Sequence, residues 1–139
     1  MIVLDTNVIS ELMNARGDSR VASWVDQQPV QEVHLTAVTA AELRYGVARL
    51  ADGRRKNDLA DRVRRMLEED FGGRVLSFND QAAMHYAGIV ADRERRGAPI
   101  SMADAQIAAI CRHHGAELAT RNTKDFVGAG IPVVDPWSP

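Results

Sequence analysis

Three carboxylates stand out for where they fall in the chain. Asp5 follows the short apolar run Ile2-Val3-Leu4, Glu42 lies three residues after Thr39, and Asp104 lies three residues after Ser101. Each has a local explanation when taken alone. Asp5 or Thr6 could satisfy free N–H groups of a following helix, and the Thr39–Glu42 and Ser101–Asp104 spacings fit a capping box or its near relative. Taken together they mean more. Each one ends a strand or opens a helix in a separate βα segment, and in a parallel α/β sheet those points gather at one edge. Carboxylates gathered in that way repel unless a cation or a proton intervenes. An all-oxygen donor set favours Mg2+ or Mn2+ over Zn2+. The last segment, Thr120-Arg121-Asn122-Thr123-Lys124-Asp125-Phe126, adds another acid, a basic pair and small polar groups. It reads either as a capped loop or as a fourth wall of the acidic site.

The elements that must position these acids follow from apolar spacing. Ile2 to Leu4 reads as a buried parallel strand, Thr6 to Met13 and Ser19 to Asp26 as helices, and Val33 to Leu35 as a second strand. Thr39 to Leu50 reads as a helix capped by Thr39, with Ala40, Leu43, Val47 and Leu50 as its stripe. The next helix spans about Lys56 to Phe71 and is stopped by Gly72-Gly73; Arg54, Arg55, Arg62, Arg64 and Arg65 face solvent around it. Val75-Leu76 starts a third strand. Asn79 caps Asp80 to Arg96, and Ser101 caps Met102 to His114, which is apolar nearly all round and therefore central. Leu118-Ala119 and Ile131 to Val134 complete five strands. Strands alternating with helices predict an α/β domain with a central, mainly parallel five-stranded sheet flanked by helices.

Composition agrees with that class. With 139 residues the chain fits one domain, residues 1–139, and 45% hydrophobic against 26% charged residues is the mix of a soluble globular protein. A formal net charge of −2 excludes a polyanion binder that works by bulk charge, though not a nucleic-acid enzyme with a local basic face. Of the basic residues, 15 are Arg and 2 are Lys, and the forked guanidinium suits phosphate. Arg44 and Arg121 follow motif acids closely and are candidate phosphate contacts; as solvated charges they need no such role. The one cysteine, Cys111, cannot form an intramolecular disulfide and lies in an apolar stretch, so it reads as a buried filler in a protein of the reducing cytoplasm. His113-His114 reads as a surface pair beside a helix dipole rather than a zinc site. No apolar run approaches the ~18 residues of a membrane span, and Met1 to Asp5 lacks the basic start of a secretory signal.

Four segments carry a more specific signal: Met1-Ile2-Val3-Leu4-Asp5-Thr6-Asn7, Thr36 to Gly46, Ser101 to Ala109, and Leu118 to Phe126. In this order they resemble the PIN-domain family, specifically the VapC and FitB-like toxins of bacterial type II toxin–antitoxin pairs, over essentially the whole chain. The resemblance implies a Mg2+-dependent endoribonuclease (Mn2+ being the alternative ion) that hydrolyses RNA phosphodiesters. Asp5, Glu42 and Asp104 would form the acidic core, with Asp5 and Asp104 as direct ligands and Glu42 as a ligand or the group that orients the water. Family members often carry a fourth acid in the last segment. Asn122 stands where many place it, and Asp125, three residues on, takes a secondary role; Thr6 and Thr120 are candidates to orient the acids. The resemblance further implies an RNA substrate, a cognate VapB/FitA-like antitoxin seated in a groove near the site, and a homodimer. Leu12, Met13 and Leu43 are candidate groove walls. Two other readings compete. A haloacid-dehalogenase-type phosphatase also opens on a strand ending in Asp, but it wants a second acid where Asn7 stands. A PIN-like binding module that acts only through its antitoxin would have no use for three gathered acids.

Overall fold

The computed structural model describes residues 1–139. Five short strands, β1 (Ile2–Leu4), β2 (Val33–Thr36), β3 (Val75–Leu76), β4 (Glu117–Ala119) and β5 (Val133–Val134), form one sheet in the order β3-β2-β1-β4-β5. Every neighbouring pair is parallel. Six helices cover the sheet: α1 (Thr6–Met13), α2 (Ser19–Asp26), α3 (Ala37–Ala48), α4 (Arg54–Arg65), α5 (Asp80–Arg95) and α6 (Met102–His114). No helix is long and apolar enough to cross a membrane.

The sheet is buried on both faces, which is why its strands are continuous apolar runs instead of alternating ones. Successive side chains point to opposite faces. Val3 therefore joins one core with Ile89 of α5 and Ile107 and Ile110 of α6, while Leu4 joins another with Val8, Ile9, Val21 and Val63. β4 repeats the division, with Leu118 in the first core and Ala119 in the second. Cys111 is fully buried in the first core, and burial pushes its thiol up to about 12. It is an inert filler, as its apolar neighbours imply.

Several boundaries differ from the sequence reading, mostly by one or two residues, and three of the differences have a clear physical cause. α3 begins at Ala37, two residues earlier, because Thr36 and not Thr39 caps it: the Thr36 hydroxyl accepts the Thr39 N–H at 3.1 Å. The Lys56–Phe71 stretch is α4 followed by a single wide π turn, Met66–Asp70, closed by the Phe71 N–H on the Met66 carbonyl at 2.9 Å. That turn lets Met66 and Leu67, adjacent in sequence, both enter the core. β5 starts at Val133 and not Ile131, since Pro132 has no N–H for the ladder, although its carbonyl still accepts from Leu118 at 2.9 Å.

Strand order reverses at the centre of the sheet. β1 leads to β2 on one side, while β4 lies on the other. In open parallel sheets a crevice opens beyond the carboxyl ends of the strands at such a switch point. Asp5 leaves β1 there, and its N–H still donates to Ala119 of β4 at 2.9 Å.

Candidate active site

Asp5 is the anchor of the crevice. It is 5% exposed, and both carboxylate oxygens are held. One accepts the Thr6 N–H at 2.8 Å; the other accepts the Thr120 hydroxyl at 2.8 Å and the Asn7 amide at 3.4 Å. Asn7 ties this corner together. Its amide also donates to Thr120 Oγ1 at 3.2 Å, and its carbonyl oxygen accepts the Arg121 N–H at 3.2 Å. Burial pushes the Asp5 carboxyl above its ordinary pKa; the bonds from Thr120 and Thr6 oppose this, and the charge of Asp125 adds to it. Asp5 therefore caps α1 and also presents a buried carboxylate at the cleft floor, so the two roles read from its position coexist.

Glu42 reaches the same cleft from α3. With Thr36 as the cap, Glu42 lies beyond the first turn and has no capping duty. A run of hydroxyls aims it instead. Thr6 Oγ1 is 2.9 Å from Glu42 Oε1 and 3.1 Å from Thr39 Oγ1, which is 3.5 Å from Thr36 Oγ1. Each hydroxyl gives one proton and accepts through its lone pairs, so a chain from Thr36 through Thr39 and Thr6 to Glu42 satisfies every member. Thr36 and Thr39 are fully buried, which fixes the chain to the sheet.

Asp104 enters from the first turn of α6. The cap there is Ser101, as read from the sequence, with the Asp104 N–H donating to Ser101 Oγ at 3.2 Å. The half-buried Asp104 carboxyl is pushed up first by burial and next by Asp5; the Ser101 hydroxyl opposes this, and Asp125 and Glu42 add smaller pushes. Asp104 therefore lies in the field of the other three acids. Asp5, Glu42 and Asp104 line the cleft with Thr6, Asn7, Ser10, Glu11, Arg121, Asn122 and Trp137. Asp125 is not in that lining; it sits behind it in the 3-10 turn Thr123–Phe126 and acts through its charge.

Thr6 and Asn122 line the cleft, and Thr120 lies beneath it against Asp5. Thr120 is fully buried and accepts the Asn122 N–H at 3.1 Å. Arg121 lies in the cleft wall with its guanidinium over the Trp137 ring, 5.1 Å from the centroid. Arg44 is not brought there: it borders a separate groove with Val47, Ala48, Ala60 and Val63 between α3 and α4. No three of the acids meet in a finished ligand cluster. The donors present still fit a hard divalent cation. Mg2+ keeps several waters and is usually held by one or two carboxylates, and here the acids are all-oxygen, mutually repelling and fixed at an exposed cleft.

Several cleft residues were not singled out from the sequence. Asn7, Ser10 and Glu11 form the polar side of α1, opposite buried Val8 and Ile9. The i, i+3, i+4 spacing was a usable signal. Trp137 was not readable, because only the tertiary fold returns the C-terminal segment to β1.

Fold and site together define an α/β protein with an all-oxygen acidic cleft at a switch point of its sheet, suited to meeting a phosphate polyanion through a hard cation. The PIN domain profile matches residues 2–129, and the chain belongs to the PIN-domain family. It is 42% identical over 139 residues to VapC ribonuclease Y4jK of Sinorhizobium fredii, covering 100% of this chain and 99% of that protein. It is also 42% identical over 137 residues to toxin FitB of Neisseria gonorrhoeae, covering 99% of each. Among solved structures, FitAB bound to an IR36 DNA fragment superposes with a TM-score of 0.94 at 40% identity, over 100% of this chain and 97% of that one. The FitAcB crystal structure from Neisseria gonorrhoeae gives 0.92 at 42% identity, over 99% of each chain. PIN-domain ribonucleases are generally dependent on a divalent metal.

Proposed function

We propose that this chain, as one domain over residues 1–139, is the ribonuclease toxin of a type II toxin–antitoxin pair, a Mg2+-dependent endoribonuclease of the cytoplasm. The observation that carries this reading is the convergence of Asp5 from the end of β1, Glu42 from the second turn of α3 and Asp104 from the first turn of α6 on one cleft at the switch point. A bound divalent cation there supplies positive charge to the phosphodiester and lowers the pKa of an attacking water. Asp5 and Asp104 would hold it directly, with Mn2+ able to substitute, and Glu42 would serve as a further ligand or as the acceptor that orients the water.

The remaining residues position these acids. Thr120, Asn7 and the Thr6 N–H fix the Asp5 carboxylate, leaving its unused lone pairs for the cleft. The hydroxyl chain ending at Thr6 fixes Glu42. Arg121, spread over Trp137, is placed to contact a phosphate oxygen, and Asn122 beside it offers a neutral partner. Asp125 lends charge from behind. Asn7 stands where a haloacid-dehalogenase-type phosphatase would need its second acid, and it is used here to hold Asp5. That leaves the phosphatase reading without its machinery.

An antitoxin of the VapB/FitA kind has a matching surface. A groove lined by Met13, Leu43, Leu59 and Val63 joins the acidic cleft through Thr6, Ser10 and Glu42, and a second groove lies beside it along Leu12, Met13 and Met66. A partner helix seated there could extend a basic side chain toward the acids and compete with the cation. We expect the protein to act as a homodimer. Incubating purified protein with tRNA, rRNA and mRNA pools, with Mg2+ or with a chelator, tests the reading. Cleavage only with the metal, lost in Asp5→Asn, supports it; chelator-resistant cleavage contradicts it.

A further inference from the structure

Arg93 of α5 is the one cation among the buried residues, at 7% exposure. All its hydrogen bonds go to main-chain carbonyls: Nε to Ala98 at 2.7 Å, and Nη1 to Asp125 at 2.8 Å and Val127 at 3.3 Å. A buried charge is costly unless it is fully hydrogen-bonded, and an apolar side chain could fill the same volume without that cost. The guanidinium's distinctive contribution is a rigid planar fork that fixes several acceptors at once. What it gathers is the turn that carries Asp125. Asp125 and Val127 flank Phe126, which is 1% exposed. This segment lies outside the strand ladders, so side-chain ties set its place. Arg96, which caps the end of α5, adds a second tie by donating to the Gly128 carbonyl at 3.1 Å. Gly128 has a φ of 75°, and a Cβ there would stand 2.4 Å from the Arg96 side chain.

Arg93 donates only to backbone carbonyls, whereas the charge of Asp125 acts on both Asp5 and Asp104. Its influence on the cleft therefore runs through the backbone it holds. We propose that Arg93, with Arg96 as a second tether, is a positioning residue that holds the Asp125 turn, through the carbonyls of Asp125, Val127 and Gly128, where the Asp125 carboxylate can assist cation binding by Asp5 and Asp104. This rests on the nuclease reading and deepens it.

The test uses the full chain, Mn2+ alone as probe without RNA, and amide hydrogen exchange over residues 123–129. Arg93→Lys keeps the charge but loses the planar fork. It is expected to weaken Mn2+ binding several-fold and to speed exchange in the turn while leaving β1 and α6 unchanged. Asp125→Asn should weaken Mn2+ binding to a similar extent. The double variant should bind no more weakly than Asp125→Asn alone, because the position of the turn stops mattering once the carboxylate is gone. Arg96→Ala, at an exposed site, should show the same pattern more weakly, and it decides the matter if Arg93→Lys does not fold. A loosened turn with wild-type Mn2+ affinity overturns the proposal, as do losses that add fully to those of Asp125→Asn. Wild-type Mn2+ affinity in Asp125→Asn also overturns it while leaving the nuclease reading standing; absence of Mn2+ binding by the wild type would overturn both.

Discussion

The two ends of α6 hold opposite kinds of like-charge cluster. At its first turn Asp104 meets Asp5, Glu42 and Asp125; at its last turn lie His113 and His114, with their rings 4.7 Å apart. His85 of α5 stands 6.4 Å from His113, and His34 of β2 is close enough to act on His114. All four histidines of the chain thus gather at the end away from the cleft. The His114 imidazole is pushed below its ordinary pKa, first by burial, then by His113 and His34. His114 thus answers its crowding by giving up its proton more readily. Asp5 and Asp104 move the other way, each raised by burial and by a neighbouring acid, and a cation placed between them would relieve that crowding. Both clusters crowd titratable groups, and only the acidic one offers oxygen ligands to a cation. Proximity of titratable groups is therefore a weaker pointer to a cation than proximity of acids that a cation would relieve.

The contrast is broken most severely at Asp5. Asp5→Asn keeps the volume and most hydrogen bonds, so the protein should fold, while RNA cleavage should fall by more than about 100-fold, the upper end of the usual cost of losing a partner behind a metal ligand. Thr120→Val is expected to cost about 10–100-fold in cleavage, since it frees one oxygen of Asp5 and removes the acceptor for Asn7 and Asn122. Cleavage rates with circular dichroism as the check on folding measure both.

Asp104 sharpens the comparison through pH. Its folded-state carboxyl is raised, so the folded protein binds its proton more tightly than the unfolded chain. That stabilising contribution is fully present below the unfolded carboxyl value near 4 and is lost as pH rises through the folded value. Asp104→Asn should accordingly gain stability relative to wild type above that window in metal-free buffer, and lose cleavage. Urea midpoints between pH 3 and 8 would show a widening gap; a gap that narrows or reverses would mean that the acids are already relieved without a cation. In the last segment, Asp125→Asn should raise the Mg2+ concentration for half-maximal cleavage, and Asn122→Asp should lower it. Unchanged curves for both would confine the site to Asp5, Glu42 and Asp104.

The smallest effect belongs to the other end. His114 has a lowered folded-state value, so its contribution is present above the unfolded value near 6.5 and is lost as pH falls through the folded one. His114→Gln should flatten the stability profile slightly below pH 6.5 and leave cleavage untouched. An altered cleavage rate would show that the two ends of α6 are coupled.

Much of this arrangement was legible in the chain itself. The ends of α1, α2 and α6 coincide with the reading from Met13, Asp26, Ser101 and Gly115, because apolar spacing and caps act locally there. The start of α3 was not, since Thr36-Ala37-Val38-Thr39-Ala40-Ala41-Glu42 offers two caps three residues apart. The choice falls to Thr36 because β2 runs that far, pairing Thr36 with Leu76, which no local pattern announces. Asp5 and Asp104 were legible as a strand end and a helix start, whereas Glu42, read as a first-turn residue, stands in the second turn of α3. The hydroxyl chain behind Glu42, the return of Trp137 and the hold of Arg93 on the Asp125 turn depend on contacts made only after the sheet is assembled.

The central claim is that the acids at the carboxyl edge of the sheet hold a divalent cation. Equilibrium binding of Mn2+, followed by its electron paramagnetic resonance signal, tests it most directly in the wild type, the Asp5→Asn/Asp104→Asn double variant and His114→Gln. The account predicts saturable binding by the wild type and by His114→Gln, and none by the double variant at the same concentrations. Wild-type binding by a folded double variant would contradict it.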